Sequence, residues 1–92
     1  MKTAHTSNAH LSVAIILGYY NGEQYIIPQV RSILDQCHSN IALFIFDDHS
    51  VNPMQKQALN LSKDERKKVT IIRRKENLGF QLNFLQGLQE VP

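Results

Sequence analysis

The sequence predicts an α/β fold built on a parallel sheet, and three observations support that prediction. Three short apolar segments of strand length alternate with three segments that have helical periodicity. The apolar segments are nearly continuous, which is typical of strands covered on both faces. The connections are too long for hairpins, so each strand is expected to lead into a crossover that returns the chain to a parallel neighbour. The predicted order of elements is therefore β-α-β-α-β-α.

The first predicted strand covers Leu11 to Leu17, and an amphipathic helix follows it. The apolar side chains of this helix recur on one face: Ile26, Val30, Ile33, Leu34 and Cys37. Proline is tolerated in a first helical turn, so Pro28 predicts that the regular helix starts near Ile27. Its end is expected near Gln36, and Cys37 is expected to lie in the core.

The second predicted strand covers Ile41 to Phe46 and stops at the polar stretch Asp47 to Ser50. Pro53 can occupy the first turn of a second helix. The buried stripe of that helix would be formed by Met54, Ala58 and Leu61.

The third predicted strand, Val69 to Ile72, precedes a turn at Asn77 to Gly79 and a helix over Phe80 to Glu90. The residues expected to face the core in this last helix are Leu82, Leu85 and Leu88, with Phe84 at one side.

Length and composition limit the possible functions. A chain of 92 residues forms one small domain, and its net charge of +2 is too low to predict a nucleic-acid partner. The single cysteine excludes an internal disulfide, and the histidines have no metal-ligand spacing, so we expect a cytoplasmic protein without a metal site. The apolar run Leu11 to Tyr20 is shorter than the ~20 residues of a membrane span. Residues 1–10 are interpreted as a polar lead-in to a domain over residues 11–92.

The candidate binding residues follow the strands, because ligands of open parallel sheets bind beyond the carboxyl ends of the strands. Tyr20 offers a flat face to a base, and Asp48 can accept hydrogen bonds from a base or a ribose hydroxyl. Gly18 would let a ligand approach the backbone. Arg73 and Arg74 could counter a phosphate, although exposure to solvent is the favoured interpretation for both.

Each of these residues also has a purely structural interpretation. Tyr20 and Asn21 can be turn residues, and Asp47 and Asp48 can be turn or capping groups. What favours a site is that such residues occur at three successive strand ends. Because each residue has a structural interpretation, a small α/β domain without any ligand remains an alternative at this point.

Three stretches, "VAIILGYYNGEQYIIPQVRSILDQ", "IALFIFDDHS" and "NLGFQLNFLQGL", together resemble the amino-terminal portion of the family 2 inverting glycosyltransferases. The resemblance is strongest to the bacterial rhamnosyltransferase-like members and covers the chain from about Ser12 to Val91. It implies a GT-A fold, that is, a Rossmann-like three-layer α/β/α arrangement whose first half binds the nucleoside of a nucleotide sugar.

The resemblance also implies roles for particular residues around the nucleoside. Tyr20 would stack near the uracil or thymine ring, and Gly18 would lie against that ring through its backbone. Asp48 matches the aspartate that hydrogen-bonds the base, and Glu23 matches an acid near the nucleoside. Gly18 itself is a departure, since many members have proline or alanine there.

The remaining implied binding residues are Asn77, in the turn that ends at Gly79, and Asn83. Both match the segment of the family that approaches the diphosphate of the donor. The family's metal-binding Asp-x-Asp motif and its catalytic base would lie beyond Pro92, so no catalytic and no metal-binding residue is assigned here. A divalent metal, Mn²⁺ or Mg²⁺, is expected in the intact enzyme, and the 92-residue chain is expected to be inactive alone.

The function implied by the resemblance is sugar transfer from a UDP- or dTDP-linked donor to a hydroxyl of a glycan acceptor, in the synthesis of cell-surface polysaccharide. The intact enzyme would act in the cytoplasm or at the inner face of the membrane, without a membrane span. The alternative is a non-catalytic remnant that binds a nucleotide or a protein.

Overall fold

The computed structural model describes residues 3–7, 13–36 and 40–91. Four strands form one sheet in the order β1-β2-β3-β4: β1 (Thr3–Ser7), β2 (Val13–Tyr19), β3 (Ile41–Asp47) and β4 (Val69–Arg73). Strands β2, β3 and β4 are parallel, whereas β1 is antiparallel to β2. The predicted α/β fold with three parallel strands is thereby confirmed.

Helical segments cover both faces of the sheet. They are α1 (Glu23–Gln36), a 3₁₀ turn (Lys56–Leu59), α2 (Lys63–Arg66) and α3 (Phe80–Glu90). Alternate strand residues face opposite sides, so Ile15 and Leu17 pack with Ile26 of α1 in the main core, whereas Ile16 faces Gly87 of α3. Because both faces are covered, Ile15, Ile16 and Leu17 are all 0% exposed, which explains the continuous apolar run.

The polar lead-in predicted over residues 1–10 contains strand β1. Its residues Thr3–Ser7 pair with β2 in a register that sets Thr3 beside Leu17 and Ser7 beside Val13. An outermost strand needs only backbone hydrogen bonds on one side, so a polar sequence without apolar alternation can form it. The composition therefore gave no indication of this strand.

Helix α1 begins at Glu23 and not near Ile27, so Pro28 lies inside it and not in its first turn. The Gly22 carbonyl accepts hydrogen bonds from the N–H groups of Tyr25 and Ile26, which starts the helix early. Proline lacks one N–H, and the packing of Ile26 and Val30 on the sheet compensates for that missing bond. The predicted start of the first strand at Leu11 and the predicted core position of Cys37 lie outside the described residues.

The second predicted helix is replaced by the 3₁₀ turn and the short helix α2. Asn60 has a left-handed backbone conformation, with φ of 54°, which ends the 3₁₀ turn. Ser62 forms a capping box with Glu65, which begins α2 as a separate helix. Met54 and Leu59 are buried, whereas Ala58 is exposed. Leu61 also packs against the core, so the stripe predicted from Met54, Ala58 and Leu61 was wrong only at Ala58.

Helix α3 has the predicted bounds but turns a different face to the sheet. Its buried residues are Asn83 and Gly87, while Leu82 is 61% exposed and Leu85 is 46% exposed. The helix lies so close to β3 that a Cβ on Gly87 would be 2.9 Å from the ring of Phe46. The fully buried positions are thus a small residue and an amide, while Phe84 and Leu88 are partly buried, so the predicted stripe was wrong at Leu82 and Leu85.

Candidate functional site

The loops that follow β2 and β3 are joined to each other by two hydrogen bonds. The Asn21 N–H donates to Ser50 Oγ (2.8 Å), and the Val51 N–H donates to Asn21 Oδ1 (2.9 Å). Asn21 has a positive φ of 49°, which asparagine tolerates better than most residues. The loop that carries Tyr20 is thus fixed against the loop that carries Asp48.

Asp47, the last residue of β3, is 0% exposed and binds the loop that follows β3. Its carboxylate accepts the N–H groups of Ser50 (3.0 Å) and Met54 (2.9 Å) and pairs with the guanidinium of Arg73 (3.1 Å). Arg73 also donates to the Ser50 carbonyl (3.0 Å). Asp47 is thus a capping group, as its structural interpretation predicted, and Arg73 is bound to the loop and not simply solvated.

Asp48 holds the turn that precedes α3. Its Oδ1 accepts the Leu78 N–H (2.7 Å) and its Oδ2 accepts the Gly79 N–H (2.9 Å). Asn77 adds two contacts, because its Nδ2 donates to the Asp48 carbonyl (3.1 Å) and its Oδ1 accepts from the Gly79 N–H (3.0 Å). Asp48 is only 2% exposed, so this carboxylate is above all an anchor for the turn.

Asn83 and Arg74 form a second polar group beneath the same turn. Asn83 Nδ2 donates to the Phe46 carbonyl (2.9 Å), and its Oδ1 accepts from Arg74 Nε (2.9 Å). The Arg74 guanidinium lies 4.8 Å from the ring centre of Phe46 and pairs with Glu90 (2.6 Å). Arg74 is 7% exposed, so the predicted solvent exposure was wrong: the cation joins the end of β4 to α3.

A cavity of about 400 Å³ opens at this edge of the sheet, beyond the carboxyl ends of β2 and β3. Its lining residues are Tyr19, Tyr20, Asp48, Asn77, Gly79, Phe80 and Asn83. Tyr20 and Phe80 expose 49% and 47% of their surfaces. The cavity therefore combines aromatic surface with carboxylate and amide groups, which is the chemistry that binds a planar polar ring.

The family model described as "Glycosyl transferase family 2" matches residues 14–92 of this chain. The chain belongs to glycosyl transferase family 2. A curated relative, described as an "Uncharacterized glycosyltransferase" of Haemophilus influenzae (strain ATCC 51907 / DSM 11121 / KW20 / Rd), is 35% identical over 76 residues. That match covers 83% of this chain and 23% of the relative, so the chain spans about a quarter of the relative's length. No solved structure matches the chain significantly.

For this family 2 chain, four of the six predicted site residues line the cavity: Tyr20, Asp48, Asn77 and Asn83. Gly18 does not line the cavity, because β2 extends to Tyr19 and Gly18 therefore lies within the strand. It faces Asn83: a Cβ added to Gly18 would be 3.6 Å from Asn83 Nδ2. Glu23 is likewise outside the lining. Its Oε1 accepts a hydrogen bond from the Tyr19 hydroxyl (2.9 Å).

The cavity is also lined by Tyr19 and Phe80, to which the sequence assigned no binding role, and by Gly79, which was named only as the end of the Asn77 turn. Burial of Tyr19, together with its hydrogen bond to the Glu23 carboxylate, raises the pKa of its hydroxyl well above the ordinary value, so Tyr19 stays neutral. Phe80 was counted only as the first residue of a helix. Its position directly after the predicted turn could have indicated that it faces the same edge.

The described part of this family 2 chain contains no cluster of metal-ligating side chains. Among residues 3–7, 13–36 and 40–91, no three histidine, cysteine, aspartate or glutamate side chains come together as ligands. In the same ranges no helix is both long and apolar enough to cross a membrane.

Proposed function

We propose that this chain provides the nucleoside-binding part of the donor site of a glycosyltransferase. The observation that carries the proposal is that Tyr20 and Asp48, which follow neighbouring parallel strands, line one cavity. Parallel strands bring their carboxyl ends to the same edge, where ligands of such sheets bind. Membership of family 2 supports a nucleotide sugar as the ligand.

The chemistry of the cavity suits a pyrimidine base. The half-exposed ring of Tyr20 can stack on a base, an interaction that contributes about 1–3 kcal/mol per base in single-strand binding proteins. Each oxygen of the Asp48 carboxylate has more than one lone pair and accepts one backbone N–H, so it can accept a further bond from the N3–H of uracil or thymine. This supports UDP or dTDP as the nucleotide.

The two asparagines would act on the polar part of the donor. The side-chain nitrogen of Asn77 donates to the Asp48 carbonyl, and that of Asn83 donates to the Phe46 carbonyl. Each NH₂ group carries two hydrogens, so a second N–H can donate to a phosphate or ribose oxygen. Glu23 and Gly18 would support the site indirectly, through Tyr19 and Asn83.

For the whole protein we propose inverting transfer of a hexosyl or rhamnosyl group to a hydroxyl of a glycan acceptor, in cell-surface polysaccharide synthesis in the cytoplasm or at the inner face of the membrane. A divalent cation would neutralise the leaving diphosphate. Because the described residues bring together no ligand set for it, we expect the 92-residue chain alone to bind the nucleotide without turning the donor over.

Isothermal titration calorimetry of the 92-residue chain with UDP and dTDP tests the proposal. Tyr20→Ala should weaken the binding of at least one nucleotide about fivefold or more, because the stacking surface is lost. The matched control is Tyr25→Ala, since Tyr25 is 63% exposed on α1 and does not line the cavity. Equal losses in both variants, or no binding by the unmodified chain, would contradict the proposal.

The second candidate is a non-catalytic protein-binding module, and the exposed face of α3 favours it. Leu82 and Leu85 lie three positions apart and leave an apolar strip on the surface. This candidate predicts no heat with either nucleotide, so the same titration separates the two.

A further inference from the structure

We propose that Phe80 is a second base-binding aromatic residue, so that the base is held between Phe80 and Tyr20. This inference rests on the proposed function and adds a residue to which the family resemblance gives no role. Both residues line the cavity, and both are about half exposed to solvent, 47% for Phe80 and 49% for Tyr20. They come from segments that follow different strands, Tyr20 from the end of β2 and Phe80 from the turn after β4.

The position of Phe80 is fixed on both sides by backbone hydrogen bonds. Before it, Asp48 accepts the N–H groups of Leu78 (2.7 Å) and Gly79 (2.9 Å). After it, the Asn83 N–H donates to the Gly79 carbonyl (3.0 Å) and closes the first turn of α3. A residue held in this way loses little conformational freedom when a ligand arrives, which favours binding.

Phe80 differs from the other exposed apolar residues of α3 because it lines the cavity. Leu82 is 61% exposed and Leu85 is 46% exposed, yet neither lines the cavity. An aromatic side chain therefore occupies the one position among these three that meets the cavity. Two aromatic residues select a planar ring, so the dependence on Phe80 should apply to nucleotides and not to inorganic pyrophosphate.

A tryptophan reporter tests the contact directly, because the sequence contains no tryptophan. In Phe80→Trp, stacking of UDP or dTDP should quench the indole emission in a saturable way. In the matched variant Leu82→Trp the same titration should leave the emission unchanged. Inorganic pyrophosphate should quench neither variant.

Calorimetry supplies the second measurement. Phe80→Ala should weaken binding of the nucleotide roughly five- to hundredfold, whereas Phe80→Tyr should stay within about twofold of the unmodified chain. Leu82→Ala should leave the affinity unchanged. Circular dichroism of each variant checks that the fold is kept.

The outcomes separate this inference from the proposed function. If Tyr20→Ala weakens binding but Phe80→Ala does not, Phe80 has no role and the proposed function stands. Equal quenching in Phe80→Trp and Leu82→Trp also overturns the inference. If the unmodified chain binds neither UDP nor dTDP, the proposed function and this inference both fail.

Discussion

At the scale of single residues, Asp48 joins two segments that are far apart in the sequence. Its carboxylate binds the N–H groups of Leu78 and Gly79, and its own N–H donates to the Tyr19 carbonyl (2.8 Å). The family resemblance implies that this aspartate hydrogen-bonds the base. In the structure its carboxylate binds the turn before α3. Loss of the carboxylate should therefore affect stability as well as binding.

Asp48→Asn should lower the free energy of unfolding by about 1–3 kcal/mol, because an amide NH₂ would face one of the two partly buried N–H groups and leave it unsatisfied. Urea unfolding of the two chains measures this difference. The control is Asp35→Asn, whose carboxylate is 60% exposed and lies 3.5 Å from Arg31. That exposed pair should change stability by no more than about 0.5 kcal/mol. Equal effects of the two substitutions would contradict the role given to Asp48.

The strand-end pattern could predict that Tyr20 and Asp48 meet, because the carboxyl ends of neighbouring parallel strands share an edge. It could not predict the burial of Arg74, whose partners Phe46, Asn83 and Glu90 come from other elements. A charged residue after a strand is usually solvated. Only the packing of α3 on β3 creates the surroundings that bury this one.

At the scale of elements, α3 approaches the sheet through Gly87. A Cβ at this position would lie 2.9 Å from Cδ2 and Cε2 of the Phe46 ring and 3.4 Å from Ile16 Cγ2. The first two distances are shorter than any normal carbon contact, so the helix or the ring would have to move. The absence of a side chain at Gly87 therefore allows the short distance between α3 and the sheet, and with it the position of Phe80.

Gly87→Ala should destabilise the chain by about 1–3 kcal/mol, because the added methyl group overpacks the contact with Phe46. At an open helical position the same change would stabilise by about 1 kcal/mol, so the sign of the effect is decisive. Thermal or urea unfolding measures it, with Gln86→Ala on the exposed side of the helix as control. A stabilised Gly87→Ala chain would show that α3 does not pack as described.

Periodicity predicted the bounds of α3 but not its buried face. Leucines three residues apart suggested the stripe Leu82, Leu85 and Leu88, of which only Leu88 is partly buried. The fully buried residues of α3 are Asn83 and Gly87. The reason is that close approach favours a glycine, and that the Phe46 carbonyl needs a donor, which Asn83 supplies. Hydrophobic pattern alone contains neither requirement.

At the scale of the whole molecule, the sheet order places the cavity. β2 and β3 are neighbours, so their loops lie side by side, and β4 returns the chain beside β3 before α3 crosses to the opposite face. Apolar runs and connection lengths were sufficient to predict these three parallel strands. They were not sufficient for β1, because an antiparallel edge strand needs no apolar residues.

Nuclear magnetic resonance of the ¹⁵N-labelled chain during a titration with UDP or dTDP tests the central claim most directly. The claim predicts that the backbone amide peaks of Tyr20, Asp48, Gly79 and Phe80 move together and saturate. A second, open groove beside β4 provides an internal control: the amides of Gln55, Gln57 and Thr70 should not move. Peak movements confined to that groove, or no movement with either nucleotide, would contradict a nucleoside site at the ends of β2 and β3.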